Sequence, residues 1–399
     1  MFKSNDIADC TCGRTHDVAI WDIAIGKGLI ANLHERINKL GLAHNGLLIA
    51  DKNTFPLAGE QVIAEFSKAG KKLKTFVFEH EQKLVPNETS VGELFINLGL
   101  SYREQPDFLV ALGSGTITDL VRYAAFIHKI PFIVIATAPS MDGYASVGCP
   151  LVINGKKQTI YAKVPLAIYA DTEIIKQAPL TMIKAGFGDI IGKLTAKADW
   201  LLGHLHKGEY YCDKVQIIVD QAVATCIENA DKIQARDGEL MEKQMEALIL
   251  SGSAMSMVGN SRPASGAEHY IAHYFENQML KSGLTLYLHG HLVAVGSYLA
   301  IKCYEVLFER VKATNDAAML NLFSRITAHL PSSTNLKEIL QTVGIEYRLN
   351  ALGIPRSWAK KAMLQAIERK DRYYCLTFAA EKGWLNDVVD QVLEEVEDA

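Results

Sequence analysis

Up to about residue 140, short apolar runs alternate with stretches in which apolar positions recur at helical spacing. The runs at 46–51, 75–79, 107–112 and 132–136 predict buried strands, and the stretches at 58–69, 91–98 and 118–128 predict helices between them. Such alternation predicts a parallel sheet covered by helices on both faces. From 144 to 169 the texture shifts to Gly, Pro and β-branched residues, with Asn154-Gly155 as a hairpin turn signal. Beyond Asp171 nearly every segment has helical period, as at 190–202, 213–233, 239–257, 267–279 and 291–307. The pattern divides the chain into an α/β domain with a Rossmann-like parallel sheet at 1–165 and an all-α domain at 166–399. The apolar stretch 284–299 is interrupted by His289 and His291 and falls short of the ~20 uncharged residues of a bilayer span, which predicts a buried helix.

Composition changes this picture little. With 399 residues and 49% hydrophobic content the chain can bury a sizeable core, and a net charge of −4 gives no basic footprint for nucleic acid. Seven scattered cysteines, an odd count, suit free thiols in a reducing compartment. The start Met1-Phe2-Lys3-Ser4-Asn5-Asp6 lacks the apolar core of a signal peptide, so a soluble, cytoplasmic protein with no membrane partner is expected.

Candidate chemistry begins where the third predicted strand runs into Leu112-Gly113-Ser114-Gly115-Thr116-Ile117-Thr118-Asp119 and a helix. Glycines allow close approach to a phosphate, and a helix N-terminus offers free N–H donors with a partial positive charge. The usual dinucleotide fingerprint is incomplete, and the best candidate for a ribose-binding acid, Asp51, lies upstream of the loop instead of about 20 residues downstream. A plain strand–helix turn is the alternative. After the fourth strand, Thr137-Ala138-Pro139-Ser140-Met141-Asp142-Gly143-Tyr144-Ala145-Ser146 leaves the carboxyl end of the sheet, where open α/β folds bind ligands. Its hydroxyls and carboxylate suit a polyol.

In the helical half, His269 and His273 share a helix face at i, i+4, and Leu288-His289-Gly290-His291 follows. Gly186-Phe187-Gly188-Asp189 reads as a helix opening, and Asp189 alone as an N-cap. One carboxylate with several histidines, facing a nucleotide-type loop, makes an open metal site of the catalytic zinc kind. Spacing leaves open which of the four histidines bind. Cys10-Thr11-Cys12-Gly13 and His16 are also ligand-like, but the sequence identifies no fourth group for a second ion.

Together the segments 113–119, 137–146 and 186–189, with Gly266-Ala267-Glu268-His269 and His289-Gly290, resemble glycerol-1-phosphate dehydrogenases of the bacterial type. These are relatives of iron-containing alcohol dehydrogenases, glycerol dehydrogenases and dehydroquinate synthases. The resemblance runs from about Val18 to the last helices. It implies a dehydroquinate synthase-like fold with the site in the cleft between two domains. The implied reaction is reduction of dihydroxyacetone phosphate to sn-glycerol 1-phosphate by NADH or NADPH. The resemblance also implies that Asp189, His269 and His289 bind one divalent metal, zinc or nickel. His273 and Asp142 become substrate contacts and the catalytic pair, and Asp189 a further substrate contact. Asp51, Gly115, Thr116, Ile117, Thr118, Asp119, Thr137, Ser140 and Ser146 become cofactor contacts, while His291 takes no role. Ser114 stands where many relatives have glycine. The Asp51 carboxylate favours NADH over NADPH, and Lys52 beside it offsets that preference. The substrate phosphate needs a cationic pocket, for which Arg262 is the expectation, and a homodimer is the expected assembly. The alternatives are a glycerol dehydrogenase on the unphosphorylated polyol and a dehydroquinate synthase-like lyase.

Overall fold

The computed structural model describes residues 10–101, 105–284 and 287–397, so the N-terminal residues read for localisation lie outside it. The strands are β1 (Asp22–Gly26), β2 (Asn45–Asp51), β3 (Lys72–Phe78), β4 (Phe108–Gly113), β5 (Phe132–Ala136), β6 (Gly148–Ile153), β7 (Lys156–Tyr161) and β8 (Ala167–Asp171). Six of them form a parallel sheet in the order β1-β8-β5-β4-β2-β3. β4, β5 and β8 are buried along their whole length, which is why they read as continuous apolar runs. Among the described residues β3 pairs only with β2, and it exposes Lys72 and Lys74. That edge position hides its start from an apolar count, and it begins earlier than the run at 75–79. β1 and β8 were not expected, and β8 carries the sheet past residue 165.

β6 and β7 form an antiparallel hairpin whose turn is Asn154-Gly155, with φ of 51° and 68°. Both turn residues are left-handed, matching the twist of the flanking strands.

The helices are α1 (Leu33–Ile37), α2 (Phe55–Lys68), α3 (Glu88–Ser101), α4 (Gly115–His128), α5 (Thr172–Ile175), α6 (Leu180–Lys207), α7 (Asp213–Glu228), α8 (Gly238–Val258), α9 (Ala267–Ser282), α10 (His289–Ala313) and a C-terminal set from Ala317 to Glu397. Of the apolar stretch at 284–299, residues 289–299 form the start of α10, and residues 285–286 lie outside the described ones. Although α10 is long and apolar enough to cross a membrane, its apolar window is 78% buried in the protein core.

Gly186-Phe187-Gly188-Asp189 lies well inside α6, so Asp189 is no N-cap. Its glycines serve packing. A Cβ at Gly188 would collide with the Gly290 carbonyl, and one at Gly290 with the Ala185 carbonyl. Glycine inside a helix costs about 1 kcal/mol relative to alanine; here it lets α6 and the first turn of α10 touch backbone to backbone. That contact places Asp189 beside His289. Gly188→Ala should cost about 1–3 kcal/mol by overpacking. An unchanged urea midpoint would show that the helices have room to separate.

Candidate active site

Asp189 stands on α6, His269 and His273 on α9, and His289 at the first position of α10. The structure brings Asp189, His269 and His289 together, with one ligand atom of each within 4.8 Å of the others. His269 Nε2 is 3.4 Å from Asp189 Oδ1. The ring centroids of His269 and His289 are 5.2 Å apart, and His273 stacks on His289 at 5.1 Å.

Two carboxylates to which the sequence assigned no role, Glu268 and Glu276, orient these rings. Glu268, fully buried, meets His269 Nδ1 at 2.7 Å and is itself held by the Gly266 N–H and the Thr195 hydroxyl. Glu276 meets His273 Nδ1 at 2.8 Å and His289 Nδ1 at 3.1 Å, and accepts from Lys157 Nζ at 2.7 Å. Burial opposes the charge on Glu276, but Lys157 and the two histidines hold its carboxyl well below the usual range. An ionised carboxylate requires Nδ1–H on each partner, so in a neutral ring Nε2 is left as the lone-pair donor. His273, His289 and Glu276 also form a second metal-capable grouping. His289 belongs to both groupings.

Lys193 is the largest omission from the sequence reading. Its side chain is 0% exposed, and its ammonium lies 2.8 Å from both Asp142 Oδ2 and Asp189 Oδ1. It also donates to the Ala264 carbonyl at 3.2 Å. Burial works against this charge, but Asp142 and Asp189 raise the lysine above its ordinary value. Burial would likewise push Asp189 up. Lys193, with His269 and His289, outweighs it and holds the carboxyl well below the carboxylate range. Asp189 Oδ2 also accepts from the Asp142 N–H at 2.9 Å, and Ser251 donates to Asp142 at 2.9 Å. The loop after β5 is thereby stitched to α6 and α8.

His273 is lowered to about 4 by burial, with Glu276 opposing and Lys157 and His289 adding to the shift. A shift in this direction favours the neutral ring.

Asp189, His269, His273, Glu276 and His289 line a cavity of about 320 Å³ that also takes in Gly115, Thr116, Asp119, Ser140, Asp142 and Ser146. α4 begins at Gly115 after Ser114, and among the described residues no side chain caps it, so its first N–H groups are left to the cleft. Other residues expected at the cofactor stand back from the cavity. Ile117 and Thr118 are buried behind it, Thr137 bonds through its N–H to the Gly113 carbonyl, and Asp51 accepts from the N–H groups of Asn53 and Thr54 at 2.8 and 2.9 Å. Asp119 lines the cavity but pairs with Arg122 at 2.7 Å.

Arg262 fails its expectation. Its guanidinium turns away from the cleft, pairing with Glu209 at 2.7 Å and donating to the carbonyls of Asp199 and Tyr373 at 3.0 Å. Its neighbours Asn260 and Ser261 line the cavity instead. The cationic wall is supplied by Lys157 and Lys83.

Residues 24–179 match the family described as iron-containing alcohol dehydrogenase. The chain is 33% identical over 385 residues to a glycerol-1-phosphate dehydrogenase [NAD(P)+] of Halalkalibacterium halodurans, covering 92% of this chain and 95% of that one. It is 32% identical to the enzyme of that name from Bacillus licheniformis, covering 96% and 95%. Among solved structures it is similar to a 1,3-propanediol oxidoreductase (TM-score 0.70, 16% identity, 94% and 98% covered). It is also similar to glycerol dehydrogenase from Schizosaccharomyces pombe (TM-score 0.67, 18% identity, 95% and 92% covered). At those identities the structural likeness establishes the fold, a parallel-sheet α/β part joined to a helical part, as found here. The long, near-complete match to the curated sequences goes further: the chain belongs to the glycerol-1-phosphate dehydrogenase family.

Proposed function

We propose that this chain is an NAD(P)H-dependent oxidoreductase that reduces dihydroxyacetone phosphate to sn-glycerol 1-phosphate, using one divalent ion, zinc or nickel, held by Asp189, His269 and His289. The observation that carries this reading is the carboxylate and two imidazoles converging on one cleft with the uncapped N-terminus of α4. The donor set fits an ion: Asp189 is ionised, and His269 and His289 have their far nitrogens fixed by Glu268 and Glu276. When bound, the ion supplies Lewis-acid polarisation of a carbonyl and the reduced nicotinamide supplies the hydride.

The chain's own groups do the remaining work. The first N–H groups of α4 hold a pyrophosphate, with Ser140 and Ser146 beside them. Asp51, at the carboxyl end of β2, offers its carboxylate to a ribose hydroxyl. Lys52 reaches Glu81 at 3.4 Å, which weakens its capacity to offset Asp51 and favours NADH. Asp142 contacts the substrate hydroxyl while Lys193 fixes its direction. Neutral His273 accepts a hydrogen bond from that hydroxyl through Nε2 and moves a proton between it and solvent. The phosphate end lies against Lys157 and Lys83. Lys157→Met should raise KM for dihydroxyacetone phosphate roughly tenfold to a hundredfold, as for a lost charged hydrogen bond, and affect dihydroxyacetone much less. Equal effects on the two substrates would remove Lys157 from the phosphate. The assembly we propose is a homodimer, checked by sedimentation.

The test of the reaction is the loss of reduced-nicotinamide absorbance with dihydroxyacetone phosphate and with dihydroxyacetone, plus chiral analysis of the product. Preference for the unphosphorylated ketone would make it a glycerol dehydrogenase. No net nicotinamide change would favour a lyase.

A further inference from the structure

The ligand-like residues near the N-terminus acquire in the fold the fourth group that spacing could not supply. Cys212, the residue before α7, comes up to Cys10, Cys12 and His16, and one ligand atom of each lies within 4.8 Å of the others. Cys10 Sγ and Cys212 Sγ are 3.5 Å apart, Cys212 Sγ and His16 Nε2 3.4 Å, and Cys12 Sγ and His16 Nε2 3.1 Å. We propose that Cys10, Cys12, His16 and Cys212 form a second, structural metal site that holds zinc, separate from the cleft.

The geometry suits that ion. Zinc–sulfur bonds of about 2.3 Å and zinc–nitrogen bonds of about 2.0 Å put tetrahedral ligand atoms roughly 3.5–3.8 Å apart. The three distances above lie within a few tenths of an ångström of those values. The imidazole is aimed: His16 is buried and its Nδ1 lies 3.2 Å from the Met257 carbonyl. A carbonyl only accepts, so Nδ1 carries the proton and Nε2 presents its lone pair to the sulfurs. Three thiolates and a neutral imidazole leave a zinc complex with one net negative charge. Arg14 stands nearby, its guanidinium 3.7 Å above the Tyr210 ring, and the Tyr210 hydroxyl is 3.1 Å from Cys12 Sγ. A disulfide explains the cluster less well, because it would use two thiols and leave the third and the oriented imidazole without a purpose.

Four protein ligands close the coordination shell, so the site binds and braces instead of catalysing. Binding releases the thiol protons and joins the segment before β1 to the start of α7 and, through Met257, to the end of α8. The loop after α8 carries Asn260 and Ser261 into the cleft, so the brace also steadies one wall of the active site.

The test uses the full-length protein purified under reducing conditions. A His269→Ala/His289→Ala variant, which lacks the cleft's imidazoles, should still hold about one zinc per chain in a closed four-ligand site. Adding Cys212→Ser should remove it. Cobalt substituted into the unmutated chain should show thiolate-to-metal charge-transfer absorption with tetrahedral d–d bands, and this reading does not depend on any variant folding. The proposal is overturned if the double histidine variant carries no zinc after incubation with zinc and gel filtration. Cobalt spectra without thiolate bands, or a Cys10–Cys212 disulfide in protein isolated without oxygen, would overturn it equally.

Discussion

Replacing His269 by alanine should cut turnover of dihydroxyacetone phosphate by a factor on the order of a thousand, the scale of losing a main electrostatic contact to developing charge. It should also lower the content of the metal that is removable from the cleft. His269 is the corner whose geometry is most constrained: Nδ1 is fixed by Glu268 at 2.7 Å and Nε2 faces Asp189 at 3.4 Å. His289→Ala removes an independent corner on another helix and should have the same pair of effects. Kinetics and elemental analysis on the same preparations check both. Full activity in the His269 variant after chelation and dialysis would mean that the assigned cluster does not hold the working ion.

Lys193→Met should destabilise the fold by about 3–5 kcal/mol, the range for breaking a buried ion pair by removing one partner. The substitution nearly preserves volume and leaves Asp142 and Asp189 without their shared ammonium. The loss should be larger in chelated protein than in protein loaded with zinc or nickel, since an ion at Asp189 replaces part of the missing charge. The pH dependence follows from the depressed carboxyl of Asp189. Its contribution to stability is fully present above the unfolded value and is lost as pH falls through the folded value. Without Lys193 that folded value rises, so acid unfolding should begin at higher pH. Urea denaturation across pH, with and without metal, measures this. Equal stability in variant and parent at neutral pH would show that water replaces the ammonium.

The central sheet was readable where burial is complete. β2, β4 and β5 stand out because neither face meets water. β8 is as buried as they are, but its five residues lie in a stretch otherwise marked by turns, and β1 is a five-residue edge strand that begins at Asp22 and ends at Gly26. For the site, spacing gives periodicity but no direction. It put His269 and His273 on one face but could not tell which would meet Asp189. It could have flagged Lys193, four residues after Asp189 in an apolar helix, and Glu276, three after His273. Arg262 misled because nearness in sequence to the histidine helix says nothing about which way a guanidinium turns. Cys212 carries no local signal at all, being joined to Cys10 and Cys12 only by folding.

The split of the site between the two halves sets the order in which its ligands can leave. Asp189, His269 and His289 all belong to the helical half, on α6, α9 and α10, while the helix start proposed to cradle a pyrophosphate belongs to the sheet half. On the proposed assignment, a breathing motion that widens the gap between the halves leaves the three corners in register. The nucleotide can then exchange every cycle while the ion stays as a permanent resident, so enzyme diluted into metal-free buffer should keep working long after its cofactor has been washed away and resupplied.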